Sequence, residues 1–191
     1  GLVGSEMCIR DSIGLPFASA VLQGDALDIV VLEVSSFQLE TIRTFRPKVA
    51  AWLNLSPNHL DRYPGMNEYR AAKLRIFENQ KNDDFAVANA LSELPQLAAR
   101  KTTFSASTKD ADFTLSEGWI SFQGSKILEQ SSTKLTGIHN AENIMAALGI
   151  GLALGLDMAG MASACVEFPP PAHRCEFVRE VDGVFWINDS K

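Results

Sequence analysis

Three broad protein classes are closed to this chain by what it has little of. Cysteine is scarce: Cys8, Cys165 and Cys175 form no C-x-x-C pair and no even set, which excludes a disulfide framework and the usual zinc-ligand spacings. Reduced thiols in a cytoplasmic protein are the expectation. Positive charge is also short. With a formal net charge of −6 and a pI near 5.1, the chain lacks the clustered Lys and Arg that hold nucleic acid, so no nucleic-acid partner is expected. A few local donors can still bind a small anion against an acidic background. Long apolar runs are missing too. "IMAALGIGLALGL" falls short of the roughly 18 residues of a membrane span and carries glycines, so no membrane partner is expected. The opening "GLVGSEMCIRDS" has no basic region followed by an apolar one and does not read as a secretory signal. Internal repeats and low-complexity tracts are absent from the sequence.

What is present fits an ordinary globular protein. Hydrophobic residues make up 46% and charged residues 21% of 191, enough for one substantial core. Residues 1–12 show neither helical nor strand periodicity, do not lead into "IGLPFASAVL", and are set apart as a segment foreign to the fold. "DIVVLEV" from Asp28 is short, apolar and β-branched, the pattern of a strand buried on both faces of a parallel sheet. "VAAWLNL" (49–55) and "DFAVAN" repeat it. "MNEYRAAKLRIFENQ" (66–80) spaces Tyr69, Ala72, Leu74, Ile76 and Phe77 as an amphipathic helix, with Asn67 the expected N-cap. Strands alternating with helices predict an α/β sheet whose site lies at the strands' carboxyl ends. Between about 101 and 136 the texture changes. "TTFSAS", "DFTLS", "GWISFQG", "KILEQ" and "TKLTG" predict a small antiparallel insertion. "HNAENIMAALGIGLALGL" follows as an apolar helix stopped by Gly155, then "DMAGMASACVEF" with Asp157 as N-cap. After "PPPAHR", "CEFVREVDGVFWIND" reads as a hairpin turning at Asp182-Gly183.

Several residues in this frame can carry chemistry, each beside a plainer reading. Glu33 ends a strand, where an acid is either half-exposed or bound to a partner or metal. Ser35 or Ser36 behind it can cap a helix. His59, after a Ser-Pro turn, is either a solvated loop imidazole or a ligand on the sheet's carboxyl edge, where strand-end acids and an imidazole suit Mg²⁺. Lys73 is either a surface lysine or one whose depressed pKa opens it to covalent modification. His139 and Asn140 begin a helix, with Asn143 one turn in; Asn140 can simply cap it, while Asn143 can read a base or sugar. His173 and Arg174 follow a triple proline, a rigid turn that can present Arg to a phosphate. In the closing "NDSK", Asp189 suits ribose hydroxyls and Lys191 an anion.

"LEVSSFQLE", "LNLSPNHLDRY", "EYRAAKLRIFEN", "GIHNAENIMAAL", "HRCEFV" and "GVFWINDSK" stand in the order and at about the spacings of the Mur ligase family, which the chain resembles from Ile13 to Lys191. Within the family, the "SSFQLE" form is that of the member adding D-glutamate. The resemblance implies an α/β central domain, P-loop-like, with a mainly parallel sheet flanked by helices and a small antiparallel β-sheet insertion. It implies an ATP-dependent, amide-forming ligase of peptidoglycan synthesis that joins D-glutamate to UDP-N-acetylmuramoyl-L-alanine through an acyl phosphate. ATP and Mg²⁺ are the implied cofactors, the cytoplasm the implied location and a monomer the expected state. By the same resemblance Glu33 binds the magnesium near the ATP phosphates, His59 helps hold a second magnesium, and Lys73 supports that second ion as a carbamate. Asn143 lies at the adenine with His139 and Asn140 beside it, Arg174 at the phosphates, Asp189 at the ribose, Lys191 near the reacting substrate, and Ser35 and Gln38 toward the UDP-sugar. The implied division is a foreign segment at 1–12, the central ATP-binding domain at 13–173, and at 174–191 a hairpin leading into a C-terminal domain. The sequence departs from the family in places. No Gly-rich loop ending in Lys-Ser/Thr precedes Ile13, "RDS" stands where Gly-Asn is expected before "IGLP", and Asn58 replaces a common Asp. The chain is therefore expected to be a fragment, inactive alone. Two alternatives are a sibling amide ligase, such as a folylpolyglutamate-type enzyme, and a non-catalytic nucleotide- or UDP-sugar-binding module.

Overall fold

The computed structural model describes residues 7–10, 28–57, 60–169, 176–188 and 190, with only the backbone at 7–10, 176 and 177. The chain divides into two compact units, Gly1–Arg46 with Leu55–Asn79, and Pro47–Asn54 with Gln80–Lys191.

In the first unit, β1 (Met7–Arg10) pairs in parallel with β2 (Ile29–Leu32), Met7 opposite Ile29. A strand at Met7–Arg10 departs from the sequence expectation of no regular structure in residues 1–12. β2 is also less buried than its composition predicts, since Val31 is 39% exposed. A short helix, α1 (Ser36–Leu39), follows the strand end. Ser35 starts it with a capping box: its Oγ accepts the Gln38 backbone N–H at 3.3 Å, and the Gln38 side-chain oxygen accepts the Ser35 N–H at 2.8 Å. Two otherwise unpaired N–H groups are thereby satisfied. Helix α2 (Met66–Leu74) runs into a 3₁₀ turn, Arg75–Phe77. Its N-cap is Gly65 rather than Asn67, because the Gly65 carbonyl already accepts the Tyr69 N–H at 3.2 Å. Tyr69, Ala72 and Phe77 are buried as the spacing predicts.

The second unit holds a six-stranded sheet in simple sequential order: β3 (Val49–Trp52), β4 (Phe85–Asn89), β5 (Arg100–Ser105), β6 (Phe113–Ser116), β7 (Trp119–Phe122) and β8 (Ser125–Glu129). The first four are parallel and the last three an antiparallel meander sharing β6. "TTFSAS" was expected to be antiparallel, but within β5 it runs parallel to β4, and "TKLTG" forms no strand. The antiparallel part thus extends the parallel sheet instead of standing apart. Side chains make the join. Asp112 Oδ2 accepts the Thr103 N–H at 2.7 Å and hydroxyl at 2.9 Å, tying the start of β6 to β5.

Helix α3 (Ile138–Ala153) covers this sheet. Its apolar stripe Ala141, Ile144, Met145 and Leu148 packs on Val87, Phe104, Phe113, Ile120 and Leu128 from the strands, the i, i+3, i+4, i+7 spacing of a helix buried on one face. The helix ends as expected: Gly155 takes φ +76°, its N–H meets the Leu152 carbonyl at 3.0 Å, and the Leu156 N–H meets the Gly151 carbonyl at 2.9 Å. This is the crossed pair of bonds that a left-handed residue permits after a helix. Asp157 then caps α4 (Met158–Glu167) through Gly160 N–H at 2.7 Å. The hairpin of β9 (Glu176–Val181) and β10 (Val184–Asn188) turns at Asp182 (φ 52°) and Gly183 (φ 78°), the two positive-φ positions of a tight two-residue turn. Among the described residues no helix is long and apolar enough to cross a membrane.

Candidate functional site

The candidate residues fall into two sets, one on each unit. On the first unit, Glu33 leaves the carboxyl end of β2 with its side chain exposed. Ser35, half-buried, and Gln38, exposed, sit just beyond at the start of α1 and are bonded to each other, Ser35 Oγ lying 3.1 Å from the Gln38 side-chain oxygen. The cap occupies the carbonyl end of Gln38 and not its amide NH₂.

Lys73 stands in the last turn of α2, half-buried. Its Nζ lies 5.6 Å from the centre of the Tyr69 ring, within reach of a cation–π contact. Burial pushes the ammonium pKa below its ordinary value, while the negative charge of Glu33 pulls it back up. The opposition has two meanings. It places Glu33 near enough to Lys73 to act on it through space, and it shows removal from water to be the stronger influence. A lysine in that setting has a larger share of free amine, the form that attacks carbon dioxide or an electrophile. The sequence left Lys73 open between surface cation and modified base; the structure shows it half-buried, its pKa lowered by that burial.

On the second unit, the start of α3 carries His139, Asn140 and Asn143. Asn140 does not cap the helix. Gly137 does, at φ 86° and ψ 161°, a conformation essentially restricted to glycine. Its carbonyl accepts the Ala141 N–H at 3.1 Å and the Gln130 amide at 2.8 Å. Asn140 instead donates its side-chain amide to the Thr136 carbonyl at 2.8 Å. His139 and Asn143 are exposed, and the Asn143 side chain makes no hydrogen bond among the described residues. Gly137→Ala tests this construction. The new Cβ meets nothing within 4 Å, so the expected cost of roughly 1–3 kcal/mol is backbone strain alone. Urea unfolding should show it. Unchanged stability would mean that the backbone here relaxes freely.

His59, Arg174, Asp189 and Lys191, with Asn58 and His173, lie outside the described residues. Among the described residues no three His, Cys, Asp or Glu side chains form a group able to hold a metal ion.

Sequence reasoning passed over the polar junction at Glu40. The Glu40 carboxylate accepts Arg62 Nη2 at 2.7 Å and the Tyr63 hydroxyl, and its carbonyl oxygen accepts Arg75 Nη1. Arg75 Nη2 also reaches the Ile42 carbonyl at 2.9 Å, and its Nε meets Glu78 Oε2 at 2.6 Å. Hydrogen bonds from Arg62 and then Tyr63 hold the Glu40 carboxyl below the usual carboxylate range. Partners 22 and 23 residues away along the chain leave no periodic trace. The available signal was an acid directly after "SSFQL" and an Arg-Tyr pair directly after "HLD".

Each unit thus offers its own set of polar side chains, Glu33, Ser35, Gln38 and half-buried Lys73 on the first, and His139 and Asn143 at a glycine-capped helix start on the second. The Mur ligase middle domain profile matches residues 1–151, and the chain belongs to this family. UDP-N-acetylmuramoylalanine--D-glutamate ligase from Geotalea uraniireducens (strain Rf4) is 43% identical over 98% of this chain and 44% of its own length. The protein of the same name from Pelobacter propionicus is 44% identical over the same shares. The chain thus spans 44% of the curated relatives it matches. Among solved structures, a UDP-N-acetylmuramoyl-L-alanyl-D-glutamate--2,6-diaminopimelate ligase superposes with a TM-score of 0.71 over 93% of this chain and 44% of its own, at 21% identity. MurF ligase from Thermotoga maritima in complex with ADP does so at 0.67 over 95% and 47%, at 20% identity. These likenesses confirm the α/β fold.

Proposed function

We propose that the complete protein containing this chain is an ATP-dependent ligase that joins D-glutamate to UDP-N-acetylmuramoyl-L-alanine. The observation that carries the reading is Lys73: half-buried against Tyr69, its pKa lowered by burial, and within the electrostatic reach of Glu33. Relatives 43–44% identical that are named for this reaction support it.

Two polyanions, a nucleotide and a UDP-sugar, must be held together with a carboxylate aligned to a phosphoryl group. In the proposed reaction the alanyl carboxylate oxygen attacks the γ-phosphorus of ATP, releasing ADP and giving an acyl phosphate. The D-glutamate amine then attacks the acyl carbon, and the tetrahedral adduct expels inorganic phosphate as the amine loses its extra proton. Glu33 would hold magnesium on the phosphate side, and Lys73, converted to its carbamate, would supply anionic oxygen in place of a cation, with His59 as a further ligand. Magnesium, when bound, neutralises phosphate charge and favours in-line transfer. The donors fit it, because this hard cation takes one or two protein carboxylates and fills its remaining positions with water and phosphate. Asn143, assisted by His139 and Asn140, would recognise the adenine. Arg174 would contact the nucleotide phosphates, Asp189 the ribose and Lys191 the reacting groups. Ser35 and the free amide of Gln38 would face the UDP-sugar. A cytoplasmic monomer is the accompanying proposal.

Phosphate release by the complete protein, supplied with ATP and UDP-N-acetylmuramoyl-L-alanine, tests the reading. D-Glutamate is the expected acceptor among D-glutamate, L-alanine, meso-diaminopimelate and L-glutamate. Turnover with one of the others instead would identify a sibling ligase. No turnover with any would leave a nucleotide-binding module.

A further inference from the structure

We propose that Glu40 is a positioning residue for the ligase reaction, setting through Tyr63 and Tyr69 the wall against which Lys73 is held. The inference rests on the ligase reading above. Glu40 stands directly behind α1, and its three acceptor atoms tie together three separate pieces of the first unit. Oε2 takes Arg62 and Oε1 takes Tyr63, both in the loop before α2, while the carbonyl oxygen takes Arg75 in the turn after α2. The segments before and after the lysine-bearing helix are thus fastened to the same residue.

From there the contact chain is aromatic. The Tyr63 ring stacks on Phe37 of α1, 6.0 Å between centroids at 14°, and the Arg62 guanidinium lies 4.7 Å from the centre of the same Phe37 ring. Tyr63 also packs on Tyr69, 5.3 Å between centroids at 40°. Tyr63 and Tyr69 are buried with Ala72, and Lys73 Nζ rests 5.6 Å from the Tyr69 ring centre. An unbroken path of contacts therefore joins Glu40 to Lys73 within one unit. The Tyr63 hydroxyl sets the angle of that ring, and its partner is the Glu40 carboxylate. A charge-assisted bond of this kind is stronger than a neutral one and more demanding in direction. α1 also bears Gln38, so the same junction sets the helix with the proposed sugar contact.

The experiment uses the complete protein and the variants Glu40→Gln, Glu40→Asp and Tyr63→Phe. Glutamine keeps the size but can accept only through one oxygen; aspartate keeps the charge but is too short to hold both partners; Tyr63→Phe removes the hydroxyl and keeps the ring. The expected result for Glu40→Gln is a fall in kcat of about tenfold or more, with KM for ATP within twofold of wild type. The ¹³C-labelled carbamate signal of Lys73 should weaken in parallel. Glu40→Asp should recover only part of the loss, and Tyr63→Phe should show a smaller fall of the same kind. A residue with a merely structural role would lower Tm and leave kcat per folded molecule and the carbamate signal intact, and that result overturns the inference. If Glu40→Gln does not fold, Tyr63→Phe decides by the same criteria. A wild-type protein with no ligase turnover would overturn the underlying reading, which is a different failure from an active wild type with an indifferent Glu40→Gln.

Discussion

Replacing Lys73 with arginine in the complete protein is expected to lower turnover by at least about a hundredfold, the scale of losing a group that supports a bound metal. Arginine keeps the positive charge and much of the length, so it separates the two roles of this residue. A lysine serving only as a cation over the Tyr69 ring, 5.6 Å away, would be replaced with little loss, because guanidinium makes the same contact. A lysine serving as a free amine would not, because guanidinium remains protonated at any accessible pH. The direction of the burial effect makes the second outcome the expected one. Wild type under ¹³CO₂ should give a carbamate resonance that the Lys73→Arg variant lacks. Turnover in Lys73→Arg within threefold of wild type would sink the assignment.

Phe113→Ala should have the largest effect on stability, a loss of about 3–5 kcal/mol. Phe113 is fully buried and opens β6, the strand where the parallel and antiparallel parts of the sheet join. Its ring lies 4.6 Å from that of Phe122 across the pair, and its backbone stands opposite Phe104 on the other side. Gly149 of α3 comes down on it, with a Phe113 ring carbon 3.7 Å from where a glycine Cβ would stand. Truncation would open a cavity that neither β-strand neighbours nor a helix approaching this closely can collapse to fill. Amide hydrogen exchange in β5, β6 and β7 reads the opening free energy of this part of the complete protein. A change below about 1 kcal/mol would show that the join is not the packed centre of the sheet. Phe113→Leu, which keeps most of the volume, should cost clearly less.

These two residues differ in how far the sequence revealed them. The strand containing Phe113 was legible from "DFTLS" and "GWISFQG", short alternating runs with glycine between them. Its partner on the parallel side was not, since "TTFSAS" has the same texture as the antiparallel strands. Direction is decided by the tie from Asp112 to Thr103 and by the cover of α3. Lys73 was visible only as a lysine among apolar neighbours on a helix. Its environment depends on Tyr69 one turn earlier and on Glu33 forty residues before it, and only the first of these leaves a local trace.

By itself, the sequence determined the local and periodic features. Those are a serine cap behind Glu33, the Asp157 cap, the glycine stop at Gly155, the Asp182-Gly183 turn and the apolar helix of "HNAENIMAALGIGLALGL". Each follows from steric rules or repeats that act over a few residues, so the information lies within the segment. The ordered motifs also determined the family. Only the tertiary structure decided that Gly65 caps its helix where Asn67 was expected, that Gly137 caps its helix where Asn140 was one candidate, that β5 joins the parallel strands, and that Glu40 gathers Arg62, Tyr63 and Arg75. The physical reason is common to all of these: desolvation, ring stacking and charge-assisted hydrogen bonds depend on which distant residues share a space, and that is set by packing.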